Sequence, residues 1–259
     1  METLREQWAA GRTTMGAWLS VPSSVSAEAA ARVGFDFICV DTQHGAIDYQ
    51  VATTMLQAIE LGAGAPIVRV PWNEPGIIGK MLDAGAEGVV VPMVNSAAEA
   101  EAVVRASRYA PTGSRSWGPS LTSMRHPDYF AWARDNVAVI PMIETVEAIG
   151  RIDDILATPG VDAIYVGPAD LSVSLGLPPG NNDDRPTFTE ALETIVAACR
   201  RAGVVPGIHA SGSLSARRLE QGFQMITVAS DLLSIRSGMA GELDLAHGAL
   251  GASDDGAIY

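Results

Sequence analysis

The sequence predicts an α/β fold, a single-domain (β/α)8 TIM barrel with a parallel sheet, on three observations. Eight short β-branched runs alternate with helical patterns over 259 residues, about 32 residues per unit, the size of a strand with its crossover helix. The runs are nearly unbroken in apolar residues, which suits strands covered on both faces. No composition break or linker marks a second domain, so residues 1–250 read as one barrel and residues 251–259 as a loose polar tail. An open doubly wound sheet is the competing architecture.

The expected strands are Thr14–Leu19, Phe35–Asp41, Pro66–Val70, Gly88–Pro92, Val137–Ile143, Ala163–Val166, Val205–His209 and Met225–Ala229. Helical spacing covers Ser23–Val33, Asp48–Leu61, Gly76–Ala84, Ala97–Ser107, Val146–Leu156, Phe188–Ala202, Leu214–Gln221 and Leu232–Leu250. Ser23 and Asp48 suit N-caps. Gly34, Gly62, Gly85, Gly160, Gly203 and Gly222 stand where helices should stop. Two connections are long, Ala110–Phe130 and Pro178–Pro186, and loops of that length in a compact domain commonly act as lids or interface segments.

Composition narrows the chemistry. A hydrophobic fraction of 47% excludes disorder, and no apolar stretch approaches the roughly 18 residues of a membrane span. The opening METLREQWAAGR lacks the apolar region of a secretory signal. Two cysteines, Cys39 and Cys199, are too few for a disulfide scaffold, so the cytoplasm is the expected compartment. A net charge of −13 argues against nucleic acid or an anionic membrane as partner. Lys80 is the only lysine and lies within an expected helix, away from any strand end. A Schiff-base mechanism is therefore not expected, nor is a nucleotide cofactor.

In a barrel the reacting groups come from the carboxyl ends of the strands. Those positions hold Trp18, Asp41 with His44, Arg69, Pro92, Glu144, Asp170, His209 and Asp231. Glu144 and Asp170 follow neighbouring strands. Two carboxylates on one rim repel unless a cation lies between them, and such an oxygen pair suits Mg2+ or Mn2+; each could instead cap a helix or pair with an arginine. Asp41 precedes His44 by three residues, so its carboxylate could hold one imidazole nitrogen and leave the other as a general base. The plainer reading is a surface histidine beside an N-capping aspartate. Arg69, flanked by apolar residues, needs an anion, either a substrate oxygen or a partner such as Asp41 or Asp83. No zinc-ligand spacing is present. Cys39 reads as core, and His126 and His247 as surface residues. The segment His209–Ser213 lies where barrels often bind phosphate, but no basic residue accompanies it.

The motifs at these positions carry a family signature: Gly16-Ala-Trp-Leu19, Gly34-Phe-Asp-Phe37, Val40-Asp-Thr-Gln-His44, Val68-Arg-Val-Pro71, Leu82-Asp-Ala-Gly85 and Val91-Pro-Met-Val94. Arg108-Tyr-Ala-Pro111, Met142-Ile-Glu-Thr145 and Val166-Gly-Pro-Ala-Asp-Leu171 continue it. In this order and spacing the chain resembles, over nearly its whole length, the class II metal-dependent pyruvate aldolases of the 4-hydroxy-2-oxoheptanedioate and 2-dehydro-3-deoxyglucarate type. The resemblance implies aldol cleavage and condensation of 4-hydroxy-2-oxo acids, giving pyruvate and an aldehyde through a metal-stabilised pyruvate enolate. It implies Glu144 and Asp170 as ligands of a divalent ion (Mg2+, Mn2+ or Co2+), Asp41 and His44 as an acid/base dyad, and Arg69 at the enolate oxygen. Asp83 would be a supporting carboxylate, the backbone of Gly167, Pro168 and Ala169 would hold the pyruvate carboxylate, and Trp18 and His209 would line the substrate site. The family also implies a homo-hexamer, a trimer of dimers with an exchanged C-terminal helix, here Leu232–Leu250.

Four positions depart from the heptanedioate pattern: Gln43 where glutamate is usual, Met142 where glutamine is, Ser116 in place of an Arg-Gly step, and His209 in place of an aliphatic residue. They fall on the aldehyde side and bear on the acceptor, leaving the reaction class alone. Two other readings stay open, a lyase of malyl- or citramalyl-type thioesters and a non-catalytic oxo-acid-binding barrel.

Overall fold

The computed structural model describes residues 2–254, with side chains through residue 248. The chain runs α1 (Leu4–Ala9), β1 (Thr14–Leu19), α2 (Ser24–Ala31), β2 (Phe37–Asp41), α3 (Tyr49–Ile59), β3 (Ala65–Arg69), α4 (Pro75–Ala84), β4 (Gly88–Val91) and α5 (Ala97–Ser107). It continues through α6 (Tyr129–Asn136), β5 (Ala138–Pro141), α7 (Val146–Gly150), α8 (Ile152–Leu156), β6 (Ala163–Val166) and α9 (Pro168–Ser174). The last elements are α10 (Pro186–Ala202), β7 (Val205–His209), α11 (Ser215–Gln221), β8 (Met225–Ser230) and α12 (Asp231–Asp254).

The strands pair in parallel in the order β5-β4-β3-β2-β1-β8-β7-β6. Sequential neighbours with β1 beside β8 make a barrel and exclude the doubly wound alternative. Its seam lies between β5 and β6, joined by one bridge between Met142 and Tyr165 and by the Ile143 amide, which donates to the Tyr165 carbonyl at 2.9 Å.

Local chemistry explains the elements. The side chains of Ser23, Asp48 and Ser96 accept the amides of Ser26, Val51 and Glu99, capping α2, α3 and α5. Glu74 caps α4, with Pro75 at its first position. Gly85 ends α4 at φ 119°, a conformation that a side chain would strain. Gly62 serves differently: a Cβ there would fall 2.2 Å from the Ala31 carbonyl oxygen, so it is needed for the close approach of the α3 terminus to α2.

Two apolar layers result. The larger lies between strands and helices and includes Val40, Val68, Val89, Ile164 and Ile226. The smaller fills the barrel with Phe37, Cys39, Ile67, Val90, Ile140, Tyr165 and Met225, the alternate positions of the same strands. Leu4 and Trp8 of α1 join this inner layer, and Trp8 Nε1 donates to Thr14 Oγ1 at 3.0 Å. This plug is absent from the sequence expectations because six residues are too few for helical periodicity to register; its signal is the capping box of Thr3 and Glu6.

Other boundaries differ in instructive ways. The expected helix Val146–Leu156 is two helices broken at Arg151. The connection Ala110–Phe130 contains a 3-10 turn at Thr122–Met124, and α6 begins at its end. The C-terminal helix continues to Asp254, so the segment expected as a tail begins inside it; residues 255–259 lie outside the described residues.

Phe37 is fully buried inside the barrel, and a Cβ on Gly16 would touch its ring at 2.2 Å. Phe37→Ala should therefore cost about 3–5 kcal/mol of stability, measured by urea unfolding. A loss below about 1 kcal/mol would mean the interior is not packed around this ring.

Candidate active site

Asp41 and Arg69 are partners in the β2–β3 register, so both side chains leave the barrel at the same height. Arg69 Nε donates to Asp41 Oδ1 at 2.9 Å and Nη2 to Oδ2 at 2.5 Å. Burial works to raise the Asp41 pKa, but the bonds and charge of Arg69 outweigh it and hold the carboxyl below its usual range. Asp41 Oδ1 also accepts the main-chain amides of Gln43 at 3.0 Å and His44 at 3.2 Å. The expected contact from Asp41 to the imidazole is thus replaced by a contact to the His44 main chain. The reason is saturation: both carboxylate oxygens are occupied by Arg69 and the turn. The His44 side chain stands at the exposed rim of the cavity described below.

The guanidinium carbon of Arg69 lies 5.1 Å from the centre of the Trp18 ring, a cation–π contact. Trp18 in turn stacks on Tyr165 at 5.2 Å and meets His209 edge-on. The Tyr165 hydroxyl bonds Thr227 Oγ1 at 2.5 Å and lies 3.4 Å from His209 Nδ1. Burial, helped by the charge of Arg69, pushes the His209 pKa down to about 4, so this imidazole is neutral at pH 7.

Glu144 follows β5 and is 2% exposed. Its Oε1 accepts the Met93 amide at 2.8 Å; Met93 holds a left-handed φ of 56°, a strained conformation for a residue with a side chain. Its Oε2 is buried with no partner among the described residues. Gly167 opens the β6–α9 turn, and a Cβ there would lie 2.4 Å from that oxygen. Burial raises the Glu144 pKa to about 7; the Met93 amide and Arg69 oppose the shift while the charge of Asp170 adds to it.

Asp170, in the first turn of α9, is exposed at the rim of the same space. A cavity of about 300 Å³ brings together Trp18, His44, Arg69, Gly167, Pro168, Ala169, Asp170 and His209, with Met142, Tyr165, Gly180 and Asn181 completing its wall. Among the described residues no group of three or more histidines, cysteines and carboxylates converges. The donors on offer are Glu144, which lies behind Gly167 and not in the cavity lining itself, and Asp170, whose charge it feels. An orphaned buried carboxylate oxygen with a second carboxylate acting on it fits a hard divalent ion.

Other expected residues sit elsewhere. Asp83 is not among the cavity-lining residues; it pairs with Arg115 at 2.6 Å, and Arg115 Nη2 also lies 3.1 Å from the Tyr129 hydroxyl oxygen. Asp231 accepts the amides of Ser20 and Val21 at 3.0 and 2.9 Å, fastening α12 to the end of β1. Lys80 lies on α4 with its ammonium 4.2 Å from the Tyr49 ring centre. Cys39 is buried in the inner layer, and His126 stacks on Trp132. Sequence reasoning places Met142 on the aldehyde side but missed Tyr165, Gly180 and Asn181 as wall residues. The long Pro178–Pro186 connection was the available signal for the last two.

Fold and cavity together define a (β/α)8 barrel whose polar side chains gather at the carboxyl ends of its strands, where barrel enzymes carry their active sites. The chain belongs to the HpcH/HpaI aldolase/citrate lyase family, which matches residues 14–237. It is 40% identical over 237 residues to the hydroxypyruvate/pyruvate aldolase of Rhizorhabdus wittichii, covering 90% of this chain and 93% of that one. It is also 40% identical over 234 residues to the 4-hydroxy-2-oxo-heptane-1,7-dioate aldolase of Klebsiella pneumoniae, covering 88% of each. Among solved structures, an HpcH/HpaI aldolase/citrate lyase family protein from Burkholderia cenocepacia superposes with a TM-score of 0.88 at 32% identity, covering 94% of this chain and 98% of that one. The protein is a carbon–carbon lyase of the aldolase type.

A buried carboxyl whose folded pKa exceeds its unfolded value stabilises the fold most below the unfolded pKa, and the contribution is lost as pH rises through the folded value. With divalent ions chelated, Glu144→Gln should therefore be more stable than the parent at pH 8 by about 3 kcal/mol, and nearly equal to it at pH 4. Thermal unfolding at the two pH values checks this; a destabilised variant at pH 8 contradicts it.

Proposed function

We propose that this aldolase cleaves 4-hydroxy-2-oxo acids to pyruvate and an aldehyde, and runs the reverse condensation, through a pyruvate enolate formed between Glu144 and Arg69. The observation that carries the reading is the buried, unpartnered Oε2 of Glu144, which feels the charges of both Asp170 and Arg69. The aldolase names of the Rhizorhabdus and Klebsiella relatives support the reaction class.

Glu144 and Asp170 would hold a divalent ion, Mg2+, Mn2+ or Co2+, and that ion supplies a Lewis acid for the charge that develops on the keto oxygen. Arg69 Nη1, unused by Asp41, is available to the same oxygen. The amides of Ala169 and Asp170 open α9 without helical partners and take the pyruvate carboxylate. Pro168 has no N–H and contributes the shape of the turn, while Gly167 leaves the space beside Glu144 clear.

In cleavage, His44 takes the proton of the 4-hydroxyl. The C3–C4 bond then breaks, its electron pair becomes the enolate, and the aldehyde leaves. A proton delivered to C3 completes pyruvate. In condensation, the same base removes a methyl proton of pyruvate and C3 attacks the aldehyde carbon. Asp41 holds the turn that carries His44 through its two main-chain contacts.

Exposed apolar residues run along α12, among them Leu232, Leu233, Met239, Leu243 and Leu245. A second copy of the chain would cover them, in keeping with the hexamer, a trimer of dimers, that the family resemblance implies. A monomer mass in sedimentation equilibrium would exclude it. Two buried cysteines with no disulfide support a reducing cytoplasmic setting.

With Mn2+ or Mg2+ the protein should wash deuterium into the methyl group of pyruvate and cleave a 4-hydroxy-2-oxo acid, both read by NMR. Chelation should stop both reactions. His44→Ala and Glu144→Gln should each lower turnover about a hundredfold or more. Undiminished turnover by Glu144→Gln in the presence of EDTA would reject the reading.

A further inference from the structure

The loop after α9 forms one side of the cavity mouth, and a buried arginine sets its shape from beneath. Arg218, on α11, is fully buried. Its Nη1 donates to Asp183 Oδ1 at 2.8 Å and Gln221 Oε1 at 2.7 Å; its Nη2 donates to Asp183 Oδ2 at 2.9 Å and Asn181 Oδ1 at 2.7 Å. A charge this deep needs a matched partner, and Asp183 provides it. The loop is tied a second time from α9. The Ser172 hydroxyl donates to the Gly180 carbonyl at 2.7 Å, and Asn182 Nδ2 donates to Ser172 Oγ at 2.8 Å and to the Pro178 carbonyl at 2.7 Å.

A guanidinium only donates, so the atom of Asn181 that faces Arg218 must be its oxygen. The amide NH2 has no hydrogen-bond partner among the described residues, and Asn181 and Gly180 line the cavity. The charges around this cavity add a second constraint. Arg69 is the one cation among its lining residues and is already matched by Asp41. His209 is neutral near pH 7. A divalent ion would balance Glu144 and Asp170, and a bound pyruvate carboxylate then leaves no positive charge over. Glu144 is buried behind Gly167, whereas Asn181 and His44 are exposed residues of the cavity wall. Apart from Arg69, the side-chain donor that the second reactant meets in this loop is the uncharged amide of Asn181.

We propose that Asn181, held in place by Arg218, selects the acceptor by donating a hydrogen bond to its hydroxyl group, so that the chain takes short neutral hydroxyaldehydes in preference to aldehydes bearing a second carboxylate. This rests on the aldolase reading above and names the acceptor class for that site. Asn181 is a binding residue, and Arg218 is a positioning residue that acts through it.

Condensation rates with pyruvate test the assignment, comparing glycolaldehyde with propionaldehyde, which carries methyl in place of the hydroxyl, and with succinate semialdehyde. The expected kcat/KM for glycolaldehyde is about tenfold above either competitor, the size of one hydrogen bond. In Asn181→Leu the advantage over propionaldehyde should shrink to about twofold or less, through KM more than kcat. Arg218→Gln, which keeps Asn181 but releases it, should lose the same preference; a general loss of stability would not change the ratio of two substrates. Should Arg218→Gln fail to fold, Asn181→Leu, at an exposed position, decides alone. An unchanged ratio in Asn181→Leu, or a wild-type preference for succinate semialdehyde, overturns the inference. Dissociation constants for the three aldehydes, from ligand-observed NMR, report the mouth even in a protein that does not exchange the pyruvate methyl protons. Failure of the acceptor assignment and failure of the enolate reading are therefore distinguishable.

Discussion

Strands β2 and β3 run in register and end in opposite charges, and burial leaves those charges one arrangement. An unmatched guanidinium among Trp18, Tyr165 and His209 would be costly, so Arg69 closes on Asp41 through two parallel bonds. The rest of the rim is arranged around that pair. Asp41 uses its remaining capacity to hold the turn that carries His44. Trp18 lies under the guanidinium, and the positive charge of Arg69 helps keep His209 neutral.

Glu144 is the opposite case. It is as buried as Asp41, yet one oxygen meets the strained Met93 amide and the other meets no partner among the described residues. Such a group destabilises the fold by itself, and proteins retain that kind of cost where chemistry requires it. It sits at the barrel's seam, where β5 and β6 share a single bridge. The seam separates the two strand ends that bear Glu144 and Asp170, and Gly167 keeps the gap beside Glu144 free of side chain.

The surrounding loops divide the labour by depth. Rigid strand ends hold the groups nearest the reacting carbons, which suits a site in which small displacements are expensive. The mouth belongs to a loop clamped from two helices, by Arg218 on α11 and Ser172 on α9. Variation of that loop can change the second reactant without disturbing the enolate end.

Much of this molecule was legible as pattern. Apolar runs of strand length, caps at Ser23 and Asp48, and eight repeats of one size specify the barrel, because each is a local consequence of backbone geometry. The strand-end rule then places Trp18, Asp41, Arg69, Glu144 and Asp170 on one rim. Pairing was not legible. Arg69 had Asp41 and Asp83 as candidate partners, and only strand register hands it Asp41 while Asp83, on the outer helix α4, meets Arg115. The six-residue plug α1 and the clamp from Arg218 to Asn181, 37 residues away in the chain, likewise escape any local pattern. Sequence by itself determined which residue types crowd the carboxyl ends of the strands. Tertiary structure alone decided which charges neutralise one another and that Asp41 is paired while the equally buried Glu144 keeps an oxygen without a partner among the described residues, because hydrogen bonds and ion pairs depend on ångström-scale distances that chain order does not encode.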